Sequence, residues 1–337
     1  MTMDTAPTAA ALQIDCAAEA ERISRWTVDT LANRLHRRGL VVAISGGIDS
    51  SVCAALAVRA VGVSRVHALL LPERDSSAAS TERGLQLAAY LGVPHELFDI
   101  TPTLVALGCY ERRDAAIRRV FPEYGPGWRN KLAIAGGTRG GINFFKLVVD
   151  SGDGSMQEAR LPLREYLEIV AATNFKQRVR KTIDYFHADR LNYAVVGTPN
   201  RLEYDQGFFV KGGDGSADLK PIAHLYKTQV YAMAEWLGLP QEICSAQPTT
   251  DTYTLPQGQD EFYFALPFPQ MDLAVWSLDH GVSAADLALA LDIDSAGAER
   301  IYGDIAAKRR AARYLHAPAE TIEPLGLKVA APRLEHA

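Results

Sequence analysis

Four cysteines in 337 residues are too few and too scattered to carry redox or metal chemistry. Cys16, Cys53, Cys109 and Cys244 form no CxxC pair and no Cys/His cluster with zinc or iron–sulfur spacing. Long apolar runs are also missing: none approaches the roughly 20 residues that cross a bilayer. The N-terminal stretch MTMDTAPTAAALQIDCAAEAER is acidic and alanine-rich and lacks the basic start of a secretory signal. The expected location is the cytoplasm. There is no basic surplus. A formal charge of −5 and a pI near 5.9 argue against a dedicated nucleic-acid binder. What is present, 48% apolar and 22% charged residues, is the balance of a globular chain with ample core.

The most informative stretch is Val41–Val52, VVAISGGIDSSV. An apolar run, Leu40 to Ile44, breaks into Ser45-Gly46-Gly47-Ile48-Asp49-Ser50-Ser51, and a helix follows. Strand, glycine turn and helix N-terminus together make a socket for an anion, because free N–H groups and the helix dipole converge there. Ser45, Ser50 and Ser51 add hydroxyls, and Asp49 adds a carboxylate able to hold a metal ion between phosphates. The lysine of a Walker A loop is missing. The stretch resembles instead the SGGxDS loop of the ATP pyrophosphatases, which grip the pyrophosphate of ATP while its α-phosphate is attacked.

Periodicity predicts a helix over Ala17–Arg38, strands at Leu40–Ile44, Arg65–Leu71 and Pro94–Ile100, and a helix over Ser80–Leu91. Two βα units before residue 100 predict an α/β fold with a doubly wound parallel sheet, ligand at the carboxyl ends of its strands. From Gly108 to about Arg164 the pattern loosens into loop signals (GPGW, GGTRGG, SGDGS), which predicts an insertion or lid. Regularity returns with a helix from about Glu165 to Ala188, a strand at Tyr193–Thr198 and a helix at Lys227–Leu237. Helices at Met271–His280, Ala284–Leu291 and Ala296–Leu315 form a C-terminal extension. The expected organisation is a flexible leader (1–15), an α/β domain (16–265) with insertion 108–164, C-terminal helices (266–325) and a tail (326–337).

The second half of the chain narrows the chemistry. NFKQRVR (174–180), GTPNRLE (197–203), FFVKGGDGSAD (208–218) and PIAHLYKTQ (221–229) follow one another in an order and spacing similar to the ammonia-utilising NAD synthetase family. The resemblance covers roughly Ile23 to Leu107 and Asn174 to Arg310. It implies ATP contacts at Ser45, Gly46, Gly47, Asp49, Ser50, Ser51, Thr198, Lys227 and Thr249. It implies Mg²⁺ on Asp49 and Glu203, and deamido-NAD contacts at Arg178, Lys211, Asp218 and Lys308. It also implies a homodimer, with the Lys308-Arg309-Arg310 segment often supplied by the other subunit. Apolar stripes in the last helices, Leu273, Trp276 and Leu287, would then be covered by that partner.

The residue types suit the chemistry independently. A carboxylate oxygen is too poor a leaving group for ammonia to displace, so the acid must first attack the ATP α-phosphate. Charge then builds on pyrophosphate, which calls for backbone N–H groups, a metal and a lysine. Asp49 and Glu203 each follow a parallel strand at the same sheet edge, as two ligands of one hard cation should. The expected function is ATP-dependent amidation of deamido-NAD. Two alternatives stay open: a paralogue that amidates another acid, and a nucleotide-binding sensor without turnover. The chain leaves no room for a glutaminase domain, so ammonia is expected free or from a separate glutaminase. Partners are otherwise small molecules, with neither nucleic acid nor membrane. Pro199, Thr250 and Ala307 depart from the family's usual residues, and Gly108–Arg164, with Trp128, Arg129, Lys131, Arg139, Phe144 and Phe145, is expected to shape the acid site.

Overall fold

The computed structural model describes residues 7–135, 144–248, 253–255, 258, 263–264 and 266–323. Helix α1 (Cys16–Asp29) is capped by Asp15, whose carboxylate accepts from the amides of Ala17 and Ala18. Its last turns widen into a π-helical stretch, Thr30–Leu35, closed by His36 at φ 51°. The expected helix over 17–38 is therefore two pieces. Within the described part of the expected leader, Ala9–Leu12 is a 3₁₀ turn, Leu12 is buried, and its carbonyl accepts from Gln229 Nε2 at 3.0 Å.

Strand β1 (Leu40–Ala43) leads into helix α2 (Ile48–Val61). Strand β2 (Val66–Leu70), helix α3 (Ala78–Leu91) and strand β3 (His95–Leu97) complete two βα units. After the excursion described below, helix α6 (Leu163–Leu191) returns the chain to β7 (Ala194–Val195). The sheet is parallel with order β3-β2-β1-β7. This is the doubly wound arrangement expected, with the order reversing between β1 and β7. Alternation sorts the faces: Leu40, Val42 and Ile44 pack with α1 and α2, while Val41, Leu69 and Val195 pack against α6. Ten of the fourteen α2 residues are buried, which makes it the central helix of its layer.

Strand β7 is shorter than the Tyr193–Thr198 expected. The Val196 amide still donates to the Val41 carbonyl at 2.9 Å, but Val196 also bridges to Leu219 and the Gly197 amide donates to the Leu219 carbonyl at 2.8 Å. The edge thus peels away from β1 and opens a crevice at the switch point, the place where such sheets take ligands.

The described residues of 108–164 are largely regular. Helices α4 (Thr101–Ala106) and α5 (Cys109–Arg118) precede an antiparallel sheet of β4 (Arg129–Ala135), β5 (Phe144–Asp150) and β6 (Met156–Arg160). Leu132, Leu147 and Val149 of this sheet form a core with Ile117 and with Ile169 of α6.

Beyond β7 come α7 (Arg201–Gln206), α8 (Lys227–Trp236) and α9 (Gln241–Cys244). The C-terminal helices are α10 (Phe268–Asp279), α11 (Ala284–Leu291) and α12 (Ser295–His316). Their core includes Met271, Val275, Leu287, Ile301 and Ile305 and takes in Leu202 of α7. Leu273 and Leu287 are buried within the chain itself, and Trp276 stacks on His280 at 4.1 Å. Leu273 and Leu287 therefore need no partner subunit to cover them, whereas Trp276 is half-buried. Among the described residues no helix is long and apolar enough to cross a membrane.

Candidate active site

A cavity of about 1010 Å³ lies at the carboxyl ends of β1, β2 and β7. One wall is the loop after β1. Its turn depends on Gly46, at φ +79°, where an added Cβ would lie 2.1 Å from the carbonyl oxygen of Ser80. The serine hydroxyls hold this turn together. Ser50 Oγ donates to the Gly47 carbonyl at 3.0 Å and accepts from the Ser45 amide at 3.2 Å. Ser51 Oγ donates to the same Gly47 carbonyl at 2.8 Å. Ser45, Gly46, Gly47, Asp49 and Ser50 line the cavity; Ser51 is fully buried and does not. The first-turn amides of α2 have no intrahelical acceptor and are available to an anion.

Asp49, in the first turn of α2, faces three groups from distant parts of the chain. Asn200 Nδ2 donates to its Oδ1 at 2.9 Å, and Lys227 Nζ forms an ion pair with Oδ2. Glu203 stands close enough for Asp49 to oppose its ionisation. Burial, then that like charge, pushes the Glu203 carboxyl up to about 8. The GTPNRLE stretch folds so because Asn200 caps α7. Its side chain accepts from the Glu203 amide at 3.1 Å, and Glu203 Oε2 accepts from the Asn200 amide at 3.1 Å. That reciprocal box aims Glu203 at the crevice. Asn-x-x-Glu is its sequence signature within GTPNRLE, and on that ground Asn200 is legible in the sequence, although it is not among the expected site residues.

Lys227 is fully buried at the start of α8 and lies 5.3 Å from the Phe268 ring. Burial works to lower its pKa, but Asp49 and Glu203 outweigh burial and hold it above the usual lysine value. It sits behind Asp49 and does not line the cavity. Asp272 of α10, also fully buried, accepts from the amides of Lys227 at 3.1 Å and Thr228 at 2.7 Å. It caps α8 from another helix. Burial raises the Asp272 carboxyl to about 6. The folded chain therefore keeps this proton over a range where the unfolded chain has lost it. Stability from this group is greatest below about pH 4 and falls, by at most roughly 2–3 kcal/mol, as pH rises to about 6. Urea unfolding of Asp272→Asn should show a flatter dependence than the parent between these values. Equal slopes would contradict this reading.

Thr198, Pro199, Arg178, Lys211 and Lys308 line the same cavity. Arg178 Nε donates to the Lys211 carbonyl at 3.3 Å. Lys211 Nζ donates to the carbonyls of Tyr314 and Ala317, each at 2.8 Å, at the end of α12. Lys308 pairs with Asp304 at 2.7 Å and donates to the Tyr263 carbonyl at 2.6 Å; burial lowers its pKa. The chain brings Lys308 to its own cavity, where the resemblance pointed to a neighbouring subunit. Asp218 is placed elsewhere: it accepts from the Val195 amide at 2.7 Å and from Tyr185 Oη at 3.3 Å, outside the cavity lining. Thr249, Thr250 and Arg139 lie outside the described residues.

Sequence reasoning missed Arg83 and Tyr166, both in the lining. Tyr166 stacks on Phe145 of β5 with ring centres 4.0 Å apart, so the inserted sheet does reach the cavity. Burial raises the pKa of all four cysteine thiols, which leaves none primed as a nucleophile. Towards the other end of the sheet His67, Glu96 and His187 gather metal-type atoms within 4.8 Å. Arg190 Nη2 donates to His187 Nδ1 at 2.8 Å, which leaves that ring's proton on Nε2, the atom facing Glu96. A guanidinium already serves the His187 imidazole, and a ligating histidine would need the opposite polarity.

Residues 20–118 and 141–311 match the family model described as NAD synthase. An NH(3)-dependent NAD(+) synthetase of Rhizobium meliloti is 55% identical over 315 residues, 93% of this chain and 94% of that one. Another, of Rhizobium rhizogenes, is 50% identical over 326 residues, 96% of this chain and 98% of that one. Among solved structures, the NH3-dependent NAD synthetase of Campylobacter jejuni superposes with a TM-score of 0.61. It is 20% identical over 92% of this chain and 100% of that one, a likeness of fold. The family match includes both ends of the expected insertion and omits only 119–140 of it. With most of the chain matched in this way, it belongs to the NAD synthase family.

Proposed function

We propose that this cavity carries out the reaction of an NH3-dependent NAD⁺ synthetase. The chain is a C–N ligase: it adenylates the nicotinate carboxylate of deamido-NAD with ATP and transfers ammonia, giving NAD⁺, AMP and pyrophosphate. One observation carries the assignment of the site. A single cavity joins the Ser45–Ser50 loop, the carboxylates Asp49 and Glu203, and a wall bearing Arg178, Lys211, Lys308, Phe145 and Tyr166.

In this reading the triphosphate of ATP lies against the first-turn amides of α2, with Thr198 in the same crevice. Asp49 and Glu203 suit a hard divalent cation. Both offer carboxylate oxygens, and the opposition between their charges is what a cation would relieve. Mg²⁺ held there would supply positive charge to the pyrophosphate. Lys227 neutralises Asp49 from behind. An oxygen of the acid's carboxylate forms a bond to the α-phosphorus, and the bond to the β-phosphate oxygen breaks with its electron pair. Ammonia then adds to the activated carbonyl carbon, AMP leaves with the bridging oxygen, and nitrogen loses a proton. No side chain bonds covalently to substrate; the residues align and stabilise. Homodimeric assembly is carried by the resemblance, and a cytoplasmic location and ammonia taken free or from a separate glutaminase by the reading of the sequence alone.

Incubating the pure protein with ATP, Mg²⁺, ammonium and deamido-NAD should yield NAD⁺ and AMP in equal amounts. AMP that forms only with a different carboxylic acid would overturn the choice of substrate.

A further inference from the structure

We propose that Arg83 is a further catalytic residue of this reaction. It grips the loop after β1 by a carbonyl and places a cation where charge develops on the departing pyrophosphate. The proposal rests on the reading of that loop as the pyrophosphate seat.

Arg83 lies on α3, 37 positions from the group it holds. Its Nε donates to the Gly46 carbonyl at 3.1 Å, and Nη2 donates to Ser80 Oγ at 3.1 Å. Nη1 makes no hydrogen bond among the described residues, and the side chain lines the cavity together with Ser80 and Thr81. The contact is close. The backbone of Ser80 lies where a side chain on Gly46 would be, so α3 packs directly on the glycine turn with nothing between them. That packing fixes the backbone of α3, from which Arg83 reaches the loop.

The other cations near the loop are held by a carboxylate or by oxygens outside the loop, whereas Arg83 is bonded to the glycine turn itself. Lys227 is fully buried against Asp49. Lys308 has Asp304, while Lys211, Arg178 and Arg180 bond neutral oxygens outside the loop: the carbonyls at the end of α12, the Lys211 carbonyl and the Leu71 carbonyl. Among the described residues Arg83 has no carboxylate partner, and its two bonds go to neutral oxygens. Its charge is therefore uncompensated in a site whose leaving group is polyanionic. In the adenylation step no proton moves; an electron pair passes to the pyrophosphate oxygen as the bond to the α-phosphorus breaks. A planar guanidinium with a free edge suits two phosphate oxygens at that moment.

The test is steady-state kinetics of the full chain carrying Arg83→Ala or Arg83→Lys, beside the parent, with ATP, Mg²⁺, ammonium and deamido-NAD. The Ala variant should lose about 100-fold in kcat for AMP release, with KM for deamido-NAD changed by less than about twofold. Product inhibition by inorganic pyrophosphate should weaken by about tenfold or more in the same variant, a change that loosened packing would not produce selectively. The Lys variant keeps the charge but cannot hold the carbonyl and the phosphate at once, so it should recover only part of the rate. If the Ala variant fails to fold, a lost rate and weakened pyrophosphate inhibition in the Lys variant support the proposal in its place. An active parent whose Arg83 variants keep kcat within about threefold and bind pyrophosphate unchanged overturns the proposal alone. A parent that releases no AMP overturns the functional reading and the proposal with it.

Discussion

Replacing Glu203 by glutamine should lower AMP release by about 10³-fold and scarcely change stability. Burial and Asp49 keep the metal-free Glu203 carboxyl protonated up to about pH 8, and glutamine has the shape and neutrality of that form. Its Oε1 can still accept from the Asn200 amide, so the cap on α7 survives. Only the ability to ionise against a cation is lost. Asp49→Asn should be as damaging to activity but harder on the fold. It removes the ion-pair partner of Lys227, and an uncompensated buried charge costs about 3–5 kcal/mol. The nearby Glu203 would offset part of this by ionising. Turnover at limiting and saturating Mg²⁺ checks both variants. Near-normal rates at limiting Mg²⁺ would remove that residue as a metal ligand.

The second large effect is expected on the acid side. Phe145→Ala should raise KM for deamido-NAD by about 10-fold or more while KM for ATP stays within about twofold, since stacking on an aromatic ring is worth about 1–3 kcal/mol. Phe145 and Tyr166 are stacked on each other in the cavity wall, supplied by β5 and α6. A point substitution is the right probe here. Deleting the inserted sheet would strip Ile117 and Ile169 of their cover, and core loss would obscure any effect on substrate. Equal changes in both KM values, or none, would leave the inserted sheet as structure only.

What could be read from the sequence was what is local. The glycine turn, its serines and Asp49 fall within seven consecutive residues, and the strand–turn–helix around them follows from composition alone. Glu203 and Thr198 are legible through a short stretch at the end of one strand. Arg83 and Asp272 are invisible for the opposite reason: each acts on a group 37 or 45 positions away, and each sits in an ordinary helix. The inserted sheet escapes periodicity because its strands give weak signals. Strand β6 is almost wholly exposed and has no apolar alternation, and the glycines between β4 and β5 read as loop with no strands to join. Strand β7 is shorter than its pattern suggests because Val196 and Gly197 continue an apolar run but pair with Leu219, a partner that no local pattern names. Leu273 and Leu287 are covered within the chain, a packing that periodicity cannot reveal, while Leu289 of α11 and Tyr314 of α12 stay exposed.

The central claim is that the acid's own carboxylate attacks the α-phosphorus in this cavity. Deamido-NAD carrying ¹⁸O in its nicotinate carboxylate, turned over with ATP and ammonium, tests it by mass spectrometry of the products. Adenylation predicts one ¹⁸O in the phosphate of AMP and none in pyrophosphate. Label in pyrophosphate or inorganic phosphate, or AMP free of label, would contradict the account.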